Sequence, residues 1–129
     1  MPGRLLGLHH VALPFPGDPE SVEQARRFYG GMLGLQELAV PEVLGDVVLW
    51  FRIGDQELHL FAEPSGVTLN AQTRRHPCFE TGDLAALRDH LEEDGMTTID
   101  ANPVIEGRPR FFVVDPFGNA LELIQPQAG

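Results

Sequence analysis

The sequence predicts an α+β fold made of two repeats, each running strand, helix and then two or three further strands. Three observations predict it. Two segments, DPESVEQARRFYGGMLGL and GDLAALRDHLEEDGM, carry apolar residues at helical spacing. Each is preceded by a short apolar stretch, LHHVALPF in one half and HPCFET in the other. Each is followed by β-rich segments cut by Gly, Pro and Asp: VVLWFRI, GDQ and ELHLF in the first half, RFFVV, DPFGN and ALELI in the second. The same order in both halves is an internal repeat.

In the first half, LHHVALPF reads as the opening strand. The helix after it starts at Asp18 as N-cap with Pro19 in its first turn, and Val22, Ala25, Phe28, Tyr29 and Met32 form one stripe. Gly34 is its C-terminal stop. Residues 64 to 75, PSGVTLNAQTRR, are polar and turn-rich and form the joint between the halves. In the second half Asp83 or Thr81 caps a helix whose Leu84, Leu87 and Leu91 share a face, with Gly95 ending it. In DPFGN, Pro116 sets the first corner of a turn and Gly118 takes the left-handed position. One domain over residues 1 to 129 follows from the length, with module one at about 5–63 and module two at about 74–127. A single helix per module can cover only one face of its sheet.

Composition narrows the function. Hydrophobic residues make up 43% and charged residues 22%, and no apolar run approaches the ~18 residues that span a bilayer. Nine basic residues against nineteen acidic ones leave a net charge of -10, which disfavours nucleic acid and anionic membranes as partners. MPGRLLGLHH is too short in large apolar residues for a signal peptide, so the cytoplasm is the expected location. Cys78 is the one cysteine and has no internal disulfide partner. All nine basic residues are Arg, so lysine Schiff-base chemistry is excluded.

Aligning the repeats by their helices pairs His10 with His76, and Leu58-His59-Leu60 with Leu121-Glu122-Leu123. His10 and His59 are 49 residues apart (59 − 10) and His76 and Glu122 are 46 apart (122 − 76). Three imidazoles and a carboxylate at equivalent strand positions suit a divalent ion, Fe, Mn, Zn, Ni or Co, because rigid strands hold nitrogen and oxygen donors at fixed spacing. Side chains alternate along a strand, so Leu121 and Leu123 face the helix and Glu122 the other way. Glu57 shares the parity of His59, whereas His9 has the opposite parity to His10 and His90 falls on the second helix. Cys78 shares the parity of His76 and is expected in the core or the site wall, not as a nucleophile. Arg74, Arg75, Arg108 and Arg110 could hold a substrate carboxylate or phosphate in an otherwise acidic protein, but the solvated surface is the expected place for them. One residue of each pair Trp50–Phe51 and Phe111–Phe112 is expected in the core.

The stretches HHVAL, ARRFYGGMLGL, LHLF, HPCFETGDLAALRDHLEEDG and RFFVVDPFGNALELIQ resemble, in order and spacing, the vicinal oxygen chelate superfamily of glyoxalases, bleomycin-resistance proteins and extradiol dioxygenases. The resemblance covers nearly the whole chain. It implies paired βαβββ modules whose mixed sheets curl into a partly open cup, with helices on the outer face and a metal on the floor. It implies His10, His59, His76 and Glu122 as metal ligands, with Glu122 also the catalytic base. His59 is a departure, since glyoxalase I-like members carry Glu there and epimerase-like members Gln. The activity implied is a metal-dependent lyase or isomerase that binds a small substrate through two neighbouring oxygens. Two alternatives stand beside it: a metal-free binding protein of the bleomycin-resistance type, and a small extradiol dioxygenase-like oxygenase using His10, His76 and Glu122. A homodimer is the assembly common in such families.

Overall fold

The computed structural model describes residues 3–45, 48–63 and 74–127. The chain divides into two compact units, Met1–Ser65 and Gly66–Gly129. Val47 of the predicted VVLWFRI strand and most of the predicted joint, residues 64–73, lie outside the described residues.

The first unit contains β1 (His10–Phe15), α1 (Pro19–Ala25) continued by a π-helical segment (Arg26–Met32), β2 (Gln36–Leu38), β3 (Val48–Ile53) and β4 (Gln56–Ala62). Its strands are ordered β1-β4-β3-β2. β1 runs parallel to β4, and the other two pairings are antiparallel. The second unit repeats the plan with β5 (Cys78–Glu80), α2 (Leu84–Glu93), β6 (Thr98–Asp100), β7 (Arg110–Val114) and β8 (Ala120–Ile124) in the order β5-β8-β7-β6. Both sheets are therefore mixed and four-stranded, and both units are βαβββ modules, as the repeat predicts.

Local chemistry sets the helix limits. Asp18 is extended and its carboxylate accepts the Ser21 N–H at 3.1 Å, with Pro19 behind it. Asp83 does the same for Ala86 at 3.0 Å, while Thr81 accepts from the Asp83 N–H. Gly34 and Gly95, at φ +71 and +89, close the two helical segments in the left-handed conformation.

One feature departs from the predicted single helix. From Arg26 the first helix widens, so that Leu33 N–H reaches back five residues to the Phe28 carbonyl at 2.9 Å. Phe28 and Tyr29 are adjacent, yet both are fully buried, and Tyr29 meets the Phe51 ring at 5.8 Å. Neighbouring residues of a regular α-helix diverge by about 100°. Along the widened turn the two buried rings meet edge to face at 4.9 Å.

Strand alternation assigns the faces. In the first unit Leu49, Phe51, Leu58 and Leu60 are buried, and in the second Phe111, Val113, Leu121 and Leu123 are. Burying each of these side chains stabilises the fold by about 1.5–3 kcal/mol. The opposite face of each sheet then carries Trp50 and His59 in one unit and Phe112 and Glu122 in the other. Among the described residues, no helix is long and apolar enough to cross a membrane.

The β7–β8 hairpin is pinned at its turn. Asp115 is 4% exposed, and its carboxylate accepts the Phe117 N–H at 2.9 Å and the Asn119 N–H and side-chain amide at 2.8 Å each. Gly118 takes φ +96, as the DPFGN motif predicts. Replacing a buried acceptor strands its donors, so Asp115→Ala should lower the unfolding free energy by about 3 kcal/mol in urea denaturation. A loss under about 1 kcal/mol would show that the hairpin holds without that carboxylate.

Candidate functional site

The sheet face opposite the first helix gathers the polar residues of the first unit. His10 pairs in register with Glu57, and His59 with both Ala12 and Trp50. Because β1, β4 and β3 are neighbours, three rings stand side by side. Trp50 and His59 are stacked at 4.2 Å with planes 6° apart, and His59 and His10 at 4.1 Å with planes 19° apart. His59 is 4% exposed, both faces of its ring covered by these neighbours.

Its ring edge is also engaged. His59 Nε2 lies 2.9 Å from Glu57 Oε1, two residues along the same strand and on the same face. A carboxylate accepts only, so Nε2 carries the proton in this contact. The hydrogen bond to His59, followed by the charge of that ring, holds the Glu57 carboxyl below the usual carboxylate range. Glu57 therefore orients His59 in the manner of carboxylates behind histidine ligands. His9, expected to point away from His10, has Nδ1 at 3.0 Å from His10 Nδ1. It sits just before β1, where strand alternation no longer constrains it.

The second unit builds its own cluster. Cys78 and Glu122 are register partners on parallel β5 and β8, and Phe112 is the antiparallel partner of Glu122 on β7. His76 lies two residues before Cys78. Its Nδ1 is 2.8 Å from the Arg74 carbonyl, which fixes the Nδ1–H tautomer, and its Nε2 is 2.8 Å from Glu122 Oε1. The ring meets Phe112 edge-on at 5.1 Å. Backbone geometry holds this arrangement, since Glu122 N–H donates to the Pro77 carbonyl at 3.0 Å.

The four residues singled out by the repeat thus stand as two pairs, His10 with His59 and His76 with Glu122, one pair in each unit. Among the described residues, no group of three or more His, Cys, Asp or Glu is gathered closely enough to hold a metal ion.

Two expectations need correction. Of the two places expected for Cys78, the core is ruled out: it is exposed and stands beside Glu122, in the wall of that cluster, on the three-residue edge strand β5. Partial shielding of the thiol pushes its pKa up to about 11, with the Glu122 charge and hydrogen bond adding to the rise and Arg110 opposing it. Arg110, expected on the solvated surface, has a side chain only 12% exposed, with Nη1 at 3.6 Å from Glu122 Oε2. A register count from the DPFGN turn finds it, because Phe112 falls opposite Glu122 and Arg110 two residues on shares that face. His90 plays no part here and faces Asp94 at 3.5 Å on α2.

The sequence profile of the Glyoxalase/Bleomycin resistance protein/Dioxygenase superfamily matches residues 7–123. Among solved structures, a glyoxalase family protein from Bacillus anthracis is 32% identical, with a TM-score of 0.85 over 98% of this chain and 100% of that one. A glyoxalase/dioxygenase from Nostoc punctiforme is 27% identical, with a TM-score of 0.78 over 99% of this chain and 96% of that one. An antibiotic-binding protein from Streptomyces sp. CB03234 shares the fold at 24% identity, with a TM-score of 0.69 over 96% of this chain and 100% of its own. No curated protein matches the sequence.

The shifted thiol offers a direct check on the second cluster. Only the thiolate is alkylated, so at pH 8 iodoacetamide should modify Cys78 about a hundredfold more slowly than a thiol with the ordinary value of 9.0. Glu122→Gln should recover part of that rate, since it removes the charge and leaves the shielding. A wild-type rate matching that of a free thiol would refute the shielding of Cys78, and an unchanged rate in Glu122→Gln would mean that Glu122 does not act on it.

Proposed function

Because this chain belongs to the Glyoxalase/Bleomycin resistance protein/Dioxygenase superfamily, we propose that it is a divalent-metal-dependent enzyme of the glyoxalase type. Its reaction is that of a lyase or isomerase on a small substrate bound through two neighbouring oxygens. One observation carries the reading. His76 donates its Nδ1–H to the Arg74 carbonyl, so its Nε2, 2.8 Å from Glu122 Oε1, can meet that carboxylate only through a second ring proton or through a cation held between the two. Two lone pairs at that distance repel unless a proton or a cation lies between them.

A divalent cation fits the donor chemistry of the pair. Imidazole nitrogen and carboxylate oxygen suit Fe, Mn, Zn, Ni or Co, and the hydrogen bond at the far ring nitrogen is the usual support behind a histidine ligand. At the equivalent positions of the first repeat, His10 and His59 are proposed as metal donors, with Glu57 orienting His59. Such an ion, when bound, polarises substrate oxygens and stabilises negative charge as it develops.

The chain's own residues supply the proton chemistry. Glu122 is the proposed base: it takes a proton from the carbon next to a substrate carbonyl and returns it to the neighbouring carbon. β8 directs this carboxylate away from Leu121 and Leu123, and His76 anchors its Oε1.

A second reading rests on the ring stack of Trp50, His59 and His10. Aromatic surface of this kind suits a metal-free protein that binds a planar apolar molecule. Metal analysis of protein purified without added metal separates the two. The enzyme reading expects bound metal and a rise in melting temperature, since an ion at a hundredfold over its Kd adds about 2.7 kcal/mol. His76→Ala and Glu122→Ala should lose that response, whereas Glu122→Gln should keep most of the metal and lose turnover. No bound metal in the wild type and no thermal response to divalent ions would leave the binding-protein reading standing.

A further inference from the structure

We propose that Arg110 is a positioning residue that braces Glu122 against His76. The inference rests on the reading of Glu122 as ligand and base, and it adds a residue that no repeat position marks, because position 110 has no polar counterpart in the ligand pattern.

Strand geometry alone does not aim a glutamate. β8 fixes the direction of the Glu122 Cβ, but three side-chain torsions lie between it and the carboxylate, and only neighbouring groups can select among their rotamers. Beside the Cys78 thiol, two such groups meet its two oxygens. Oε1 is 2.8 Å from His76 Nε2, and Oε2 is 3.6 Å from Arg110 Nη1. Glu122 and Arg110 side chains are 13% and 12% exposed, so their attraction is screened far less than a surface pair would be.

Arg110 is itself immobilised, as a brace requires. Its Nη2–H donates to the Pro103 carbonyl at 2.9 Å, and its guanidinium carbon lies 6.0 Å from the centre of the Phe112 ring. Phe112 also stands against His76, so the same ring seats both partners of Glu122. The Arg110 Nε is buried with no hydrogen-bond partner among the described residues. A guanidinium serving only to satisfy its own donors would not leave that atom unpaired. Its orientation is set by the Nη1 edge that faces Glu122.

Two mechanisms predict opposite signs. If Arg110 acts on a bound cation by charge alone, its removal relieves repulsion and tightens metal binding. If it aims Glu122, its removal weakens metal binding, and Lys cannot substitute because it lacks the planar fork. The test titrates Co(II) into the full-length protein and follows its visible absorption, which reports affinity and coordination together. Arg110→Met and Arg110→Lys should each weaken Co(II) by about 10–100-fold and alter the absorption bands, the range usual for groups behind a metal ligand. In a Glu122→Gln background, which keeps metal but lacks the carboxylate charge that Arg110 faces, Arg110→Met should cost nothing further. Tighter binding by Arg110→Met, wild-type binding by Arg110→Lys, or an equal loss in the Glu122→Gln background would each overturn the brace.

Crystal structures of metal-free wild type and Arg110→Met give an independent answer. The brace expects Glu122 to leave His76 in the variant, and an unmoved Glu122 refutes it whatever the metal does. If the wild type takes up no Co(II) while Glu122 does swing away in Arg110→Met, the brace stands and the metal reading falls.

Discussion

The structure depends on one constraint: each four-stranded sheet has a single helical segment to cover it, so each sheet has one dry face and one chemically free face. Leu58 and Leu60 in the first unit, and Leu121 and Leu123 in the second, are buried on the helix side. A one-residue slip in either strand would bury His59 or Glu122 beneath a helix and expose two leucines, at a cost no local interaction offsets. The apolar residues thus fix the register, and the register delivers the polar residues. Function rides on positions that core packing has already decided.

Much of this was legible before any coordinates. The repeat of strand, helix and strands, both N-caps, the glycine stops and the DPFGN turn follow from local chemistry, and the structure agrees with each. Alternation puts one residue of each pair Trp50–Phe51 and Phe111–Phe112 in the core, and the structure shows these to be Phe51 and Phe111. What the sequence could not show was contact between side chains from different strands. Arg110 is unremarkable in RPRFF until register sets it two residues from the partner of Glu122. The π-helical widening was hidden for a similar reason, since it accompanies the joint burial of the adjacent Phe28 and Tyr29, which helix propensity does not encode.

The two repeats have diverged in how they restrain equivalent residues. His59 is held by stacking and by Glu57 on its own strand, whereas Glu122 is held by His76 and Arg110 from the flanking segments. Aromatic faces fix a plane but leave the ring edge available, and the charged contacts around Glu122 fix an edge. The first unit therefore offers a rigid imidazole, and the second offers a carboxylate whose aim depends on its neighbours.

Trp50 is the only tryptophan in the chain, and its indole lies flat against His59. Indole emission responds to the groups stacked on the ring, so the chain carries its own optical probe against His59, readable without any label.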